Sequence, residues 1–243
     1  MKETKKIKLY CIPYAGGSAA IYYRWRPYFQ DNIEIVPLEL KGRGQRVGEA
    51  FYESLEEAVE DLFDIIKDEL DNSPYMIFGH SMGSMLAFQL VHKIQENRYP
   101  MPMRLFVSGR KSPIYSSIGE NMHDASIEKI KAKMLSYGGT PPEVFEDPKL
   151  IEYFLPVIRA DYYMMEKFVY KDFEEKLDCK IAVFYGLDDK DTDEETVKEW
   201  SKYTMSNINV YAFEGNHFFI ESNKNKVCET INQIVASDLA LTD

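Results

Sequence analysis

Phe78-Gly79-His80-Ser81-Met82-Gly83 is the stretch on which the reading of this chain turns. Five of its residues spell Gly-x-Ser-x-Gly, the pattern of a sharp strand-to-helix turn that lifts a serine hydroxyl clear of a sheet. A short apolar run, Tyr75-Met76-Ile77-Phe78, precedes it after Pro74. Met82, Met85, Leu86, Leu90 and Ile94 follow at steps of three and four, which is helical spacing. The serine therefore sits between a strand and a helix. Flanking glycines ease a strained turn and let neighbouring segments approach, and the start of the following helix favours negative charge. Three fixed letters recur by chance in roughly one chain in ten of this length. The pattern gains meaning from what surrounds it.

Outward from the serine, strands and helices alternate. Ile7–Ile12, 33–38, 75–78 and Arg104–Ser108 read as strands. Between them lie an aromatic-rich helix ending near Phe29 and a helix opened by Ser54-Leu55-Glu56-Glu57, which has the form of a capping box. The rhythm breaks over about 113–175, where two or more amphipathic helices, among them 126–137 and 149–168, replace any strand. That stretch holds four Met, six Tyr and four Phe, a soft apolar composition. Strand and helix resume at 180–185, 194–203, 208–213 and 224–235. This order implies an α/β fold with a mostly parallel sheet, helices on both faces and a helical insertion, within a single domain over 1–243.

Composition bounds the partners. The chain has 243 residues and 45% hydrophobic content, enough for one full core. A net charge of −11 argues against nucleic acid as a partner. Cys11, Cys179 and Cys228 form no CxxC and read as structural thiols of a reducing compartment. Lys8 and Pro13 interrupt the apolar stretch near the N-terminus, which fits a first strand better than a signal peptide. No run approaches 18 apolar residues, so no membrane span is expected. The expectation is a monomeric cytoplasmic protein. No metal cluster or cofactor motif stands out, and none is expected.

A serine hydroxyl needs a base, and the base needs an orienting acid. In this fold type the chain order is Ser, acid, His. Of the four histidines, His80 adjoins Ser81 and cannot easily fold back onto it. His92 lies about 16 Å down the helix, at ~1.5 Å per residue. His123 falls in the insertion. His217, in the loop Glu214-Gly215-Asn216-His217 after a late strand, satisfies the order. The acid belongs after the strand at 180–185, where Asp188 and Asp189 are both placed to serve and the neighbouring acids to cap the next helix. A tetrahedral intermediate also needs backbone N–H donors. Met82, directly after the serine, and the glycine-rich loop Tyr14-Ala15-Gly16-Gly17 suit that role.

Together, Ile12-Pro13-Tyr14-Ala15-Gly16-Gly17, Gly79-His80-Ser81-Met82-Gly83, Gly186-Leu187-Asp188-Asp189 and Gly215-Asn216-His217-Phe218 resemble the matching blocks of type II thioesterases. These are the stand-alone editing enzymes of nonribosomal peptide and polyketide synthesis. The stretches Gly138-Gly139-Thr140-Pro141-Pro142-Glu143-Val144 and Leu155-Pro156-Val157-Ile158-Arg159-Ala160-Asp161-Tyr162 resemble that family's lid. The resemblance implies an α/β-hydrolase fold with Ser81 as nucleophile, His217 as base, Asp189 as orienter, and Ala15 and Met82 as oxyanion donors. It implies a substrate acylated on the phosphopantetheine of an acyl- or peptidyl-carrier protein, and no cofactor of the enzyme's own. The family often has Gly-Gly before the histidine. This chain has Gly215-Asn216, and Asn tolerates positive φ.

Two other readings compete. A general esterase or acyltransferase would use the same triad, but the lid likeness argues against it, because lids vary with substrate. A non-catalytic module would not need a complete Ser, Asp and His set. The insertion is expected to form a mobile lid over Ser81. Lys41, Arg43, Arg46, Arg110, Lys111 and Arg159 are expected to form a basic carrier-docking patch near the site mouth.

Overall fold

Apolar side chains alternate along strands buried on both faces, and each face takes its own core. A computed structural model describes residues 6–71, 73–115, 121–139, 142–171, 173 and 175–240. The strands are β1 (Ile7–Ile12), β2 (Ile33–Pro37), β3 (Tyr75–His80), β4 (Arg104–Ser108), β5 (Lys180–Gly186) and β6 (Ile208–Phe213). They form one parallel sheet in the order β2-β1-β3-β4-β5-β6. Parallel pairing needs crossover segments, and these cover both faces. Helices α1 (Ala20–Tyr23) and α8 (Lys224–Ala240) cover one face, where Leu9, Cys11, Met76, Phe78, Phe106 and Phe184 pack against Tyr22, Trp25 and Ile231. Helices α2 (Leu55–Ile66) and α3 (Met82–Glu96) cover the other, against Tyr10, Ile12, Ile77, Leu105, Val107 and Val183.

The chain winds outward from β1 to β2, then crosses back to β3 and proceeds the other way. The reversal point lies between β1 and β3, and ligands of such sheets bind outside the carboxyl ends of the strands at that point. The loop after β1 and the turn after β3 therefore meet there, with Ile12 in register with Gly79.

The insertion contains α4 (Ile127–Tyr137) and α5 (Pro148–Lys167). Both start where side chains can satisfy open helix N–H groups: Ser126 accepts from Lys129 N at 3.3 Å, and Asp147 accepts from Lys149 N at 2.8 Å. Gly138 closes α4 in the left-handed conformation, at φ 76°. The insertion's own core is small: Met122, Ile130, Met134 and Ile158. Thr140 and Pro141 of the stretch likened to the family's lid, like 116–120, 172 and 174 elsewhere in the insertion, lie outside the described residues.

Three local details differ from the sequence reading. The helix expected to reach Phe29 stops at Tyr23, and a single 3-10 turn, Arg26–Tyr28, takes over where Pro27 lacks an N–H. Ser54 caps α2 through Glu57 N at 3.2 Å, but the Glu57 carboxylate accepts from Glu53 N rather than closing a reciprocal box. A short helix, α7 (Phe219–Ser222), follows His217; α6 (Glu194–Lys198) follows Asp193, which with Thr196 forms a full capping box. Among the described residues, no helix is long and apolar enough to cross a membrane.

His92 lies on the buried side of α3, stacked on Phe173 with ring centroids 3.4 Å apart. Burial pushes its pKa down to about 3. The unfolded chain takes a proton at this residue below pH ~6.5, whereas the folded chain does not until about 3, so stability falls as pH drops through that window. Replacing His92 with Phe should flatten the acid limb of the stability curve by up to one proton, about 1.4 kcal/mol per pH unit. Urea unfolding at pH 7 and at pH 4.5 checks this. An unchanged slope would mean that His92 titrates normally.

Candidate active site

Ser81 adopts φ 54°, ψ −114°, a conformation that costs a non-glycine residue about 1–3 kcal/mol and persists only where its surroundings impose it. Here they do. Ser81 N–H donates to Ser108 O at 2.8 Å, tying the turn to β4. The flanking glycines keep negative φ; the strain falls on the serine itself. They are needed for space: a Cβ on Gly79 would collide with the Gly83 carbonyl, and one on Gly83 with the Ile12 carbonyl. Beneath the turn, Ser84 Oγ lies 2.8 Å from both Gly79 O and Ser108 O and accepts from Ser108 N at 2.9 Å.

The histidine and the acid arrive on loops that are bonded to each other. Asp188 N donates to Gly215 O at 2.9 Å, and Leu187 N to Phe213 O at 2.8 Å. A Cβ at Gly186 would stand 2.6 Å from Asn216 O, so the loop after β5 needs glycine there. Gly215, not Asn216, carries the positive φ, at 105°. Asn216 instead turns the loop by accepting from Phe218 N at 3.0 Å.

This brings Ser81, His217 and Asp189 into one chain. His217 Nε2 lies 3.0 Å from Ser81 Oγ, and its Nδ1 lies 2.8 Å from Asp189 Oδ2. With Nδ1–H donating to the carboxylate, Nε2 is free to accept from the serine hydroxyl. Asp189 also accepts from Asp191 N and from the Thr192 hydroxyl, each at 2.9 Å. Burial pushes its carboxyl up, but His217 and these two donors more than offset that and hold it below the usual carboxylate range. Orientation separates the two acids that spacing left open. Asp189 is buried and faces His217, and Asp188 is exposed. His80 lies beneath, its Nδ1 2.9 Å from Ser108 Oγ, and burial holds its pKa far below the ordinary value. It stays neutral beside the ring of His217, 5.1 Å away, and adds no competing charge.

Ala15 and Met82 line the same cavity as Ser81 and His217, about 340 Å3 in volume. Met82 opens α3, so its N–H lies at the positive end of the helix dipole. The insertion roofs the cavity with Met122, Met134, Tyr137, Tyr162 and Met165. Tyr137 lies over the His217 ring, centroids 4.6 Å apart. Sequence reasoning did not single out Tyr137 or Thr192. Among the described residues, Asp189, Asp191 and His217 are grouped closely enough to hold a cation, but the His217–Asp189 hydrogen bond already uses two of their donor atoms.

The docking patch expected from sequence dissolves. Arg43 is buried and bonded to Asp161 of α5 through both terminal guanidinium nitrogens, at 2.7 and 2.5 Å. Arg46 is held between Glu49 and Asp61, Lys41 pairs with Glu57, and Arg159 donates to the carbonyls of His123 and Ala125. Arg110 and Lys111 do line the cavity, and Lys133 of α4 joins them.

A parallel sheet with a strained serine at the turn after β3, a late histidine and a helical roof defines the chain as an α/β-hydrolase fold. The thioesterase domain model matches residues 7–235, and the chain belongs to that family, as the sequence blocks implied. It is 33% identical to the gramicidin S biosynthesis protein GrsT of Aneurinibacillus migulanus, over 94% of this chain and 89% of that protein. It is 30% identical to the medium-chain S-acyl fatty acid synthase thioesterase of Rattus norvegicus, over 88% of this chain and 81% of that protein. The crystal structure of ClbQ from the colibactin NRPS/PKS pathway superposes with a TM-score of 0.92 at 34% identity, covering 98% of this chain and 100% of that one.

The two adjacent acids provide a test. Asp189→Asn should lower kcat for thioester hydrolysis by on the order of 10³-fold or more, because an amide cannot hold the histidine tautomer. Asp188→Asn should stay within a few-fold of wild type. Steady-state kinetics on both variants decides it, and the reverse ranking would assign the orienting role to Asp188.

Proposed function

We propose that this protein is a type II thioesterase, which removes acyl groups from the phosphopantetheine thioesters of carrier proteins in nonribosomal peptide or polyketide synthesis. The observation that carries the reading is the hydrogen-bonded chain Ser81–His217–Asp189 at the floor of a roofed cavity, in a thioesterase-family chain matched over nearly its whole length. The named relatives of gramicidin S and colibactin biosynthesis support the pathway class.

Ser81 Oγ attacks the thioester carbonyl carbon as its proton passes to His217 Nε2. Asp189 stabilises the imidazolium, and the N–H groups of Ala15 and Met82 receive the oxyanion. Collapse breaks the C–S bond, and the pantetheine sulfur leaves with the proton from His217. A water then attacks the acyl-Ser81 carbonyl, giving its proton to His217 Nε2. The ester bond breaks, Ser81 recovers the proton, and the acyl group departs as a carboxylic acid.

The roof supplies mainly methionine and tyrosine to the acyl group. Such a wall adapts to different chains, and each methylene in an apolar pocket contributes only about 1 kcal/mol. Modest discrimination among short acyl groups follows, which suits an editing enzyme.

Hydrolysis of an acyl-phosphopantetheinyl carrier protein should exceed that of a simple ester of the same acyl group, and Ser81→Ala should remove most of the former while leaving the protein folded. A folded Ser81→Ala variant with near-wild-type turnover would sink the reading. Equal rates on the two substrates would favour a general esterase.

The family resemblance implies an acidic carrier, and this chain is itself acidic at −11, so docking requires local cations. Lys111 and Lys133 are the lysines at the cavity. Lys111→Glu with Lys133→Glu should raise KM for the carrier-bound substrate several-fold at low salt, and less at physiological salt as charges are screened. A salt-independent change, or none, would place docking elsewhere.

A further inference from the structure

The loop 14–17 is held from outside by a helix that the sequence places in the lid. Gly16 N–H donates to Asp161 Oδ2 of α5 at 2.7 Å. Arg43 Nη1 donates to that same oxygen at 2.7 Å and to Gly17 O at 3.2 Å, while its Nη2 donates to Asp161 Oδ1 at 2.5 Å. Both charged side chains are only 2% exposed. One turn earlier on α5, Ile158 packs against the same glycine: a Cβ on Gly16 would stand 2.9 Å from Ile158 Cγ1, and its φ of 77° favours glycine in any case. The loop's own turn, Gly17 N to Tyr14 O at 2.8 Å, completes the enclosure. Ala15 lies inside this frame and lines the cavity beside Ser81.

Such a pair is an expensive way to hold a loop. Two buried charges are stable only with full pairing, and a hydrophobic pair of similar size often serves stability as well or better. What the ion pair supplies here is a fixed acceptor with two oxygens, one of them aimed at a backbone N–H next to Ala15. We propose that Asp161, oriented by Arg43, is a positioning residue that fixes the 14–17 loop through Gly16 N–H and so keeps the Ala15 N–H in place for the oxyanion. This rests on the thioesterase reading and on Ala15 as a donor. It makes α5 part of the catalytic frame: the lid helix that roofs the cavity also sets the loop beneath it, and displacing it at Asp161 removes oxyanion stabilisation.

The test separates the acceptor from the ion pair. Arg43→Met with Asp161→Asn removes both charges but leaves an acceptor for Gly16 N–H. Arg43→Met with Asp161→Leu removes the acceptor as well. Loss of one oxyanion donor lowers kcat by about 10²–10³-fold. The Leu double variant should approach that loss with KM little changed, and the Asn double variant should stay within about ten-fold of wild type. Affinity for a boronic acid that forms a tetrahedral adduct on Ser81 should fall in parallel with kcat. Thermal unfolding is followed for both; should the Leu variant fail to fold, Asp161→Asn against Asp161→Ala makes the same comparison. Equal kcat with and without the acceptor, or a loss carried in KM with boronic-acid affinity intact, would overturn the proposal. A boronic acid that does not bind wild type, or hydrolysis that survives Ser81→Ala, would overturn the underlying reading instead.

Discussion

Ser81 is held at φ 54° by the close contacts of its flanking glycines and by its bond to Ser108 O, and the order of the site follows from that. The start of α3 crosses so close to β1 and β3 that Gly79 and Gly83 have no room for side chains. The sheet's reversal between β1 and β3 brings the loop after β1 to the same spot. One steric constraint thus places a nucleophile, the open N-terminus of a helix and a glycine-rich loop within one cavity. The two face cores hold that geometry, since a strained turn persists only where the surrounding structure over-determines it.

The histidine and the acid reach the serine by a different route, with loop bonding replacing steric exclusion. Bonds from Leu187 and Asp188 to Phe213 and Gly215 splice the loops after β5 and β6, and Gly186 lets them touch. Asp189 and His217 are therefore oriented by one shared unit. With Thr192 and the Asp191 amide the carboxylate has three donors, which suits a group that stays charged while its partner gains and loses a proton.

Much of this was legible in the sequence, for identifiable reasons. Ile7–Ile12, Arg104–Ser108 and Ile208–Phe213 match their expected bounds because each is a mostly apolar run followed by turn residues. Ser81 and His217 were legible from chain order. Asp188 and Asp189 were not separable by local reasoning, because side-chain direction in a loop depends on bonds to a distant loop. Arg43 was misread for a related reason. A cation in a glycine-rich loop reads as surface, since unpaired charges avoid the interior, and its partner lies 118 residues away. Arg46 misled in the same way, with Asp61 on α2 as the hidden partner.

The insertion combines two kinds of contact, and they divide its work. At Asp161 and Ile158, α5 is tied into the body by a buried ion pair and by contact with a glycine that has no side chain to yield. Around Met122 and Met134, the cluster that Ile158 shares with them and Ile130 has, among the described residues, four buried side chains, half of them methionine. Close-packed interiors transmit strain, whereas flexible thioether chains absorb it. The end of the insertion that touches the 14–17 loop is thus the stiff one, and the methionine-lined part of the cavity wall is the adaptable one. A site arranged this way keeps its reacting atoms in register while the acyl group varies, because the surface that must adjust is not the surface that sets the chemistry.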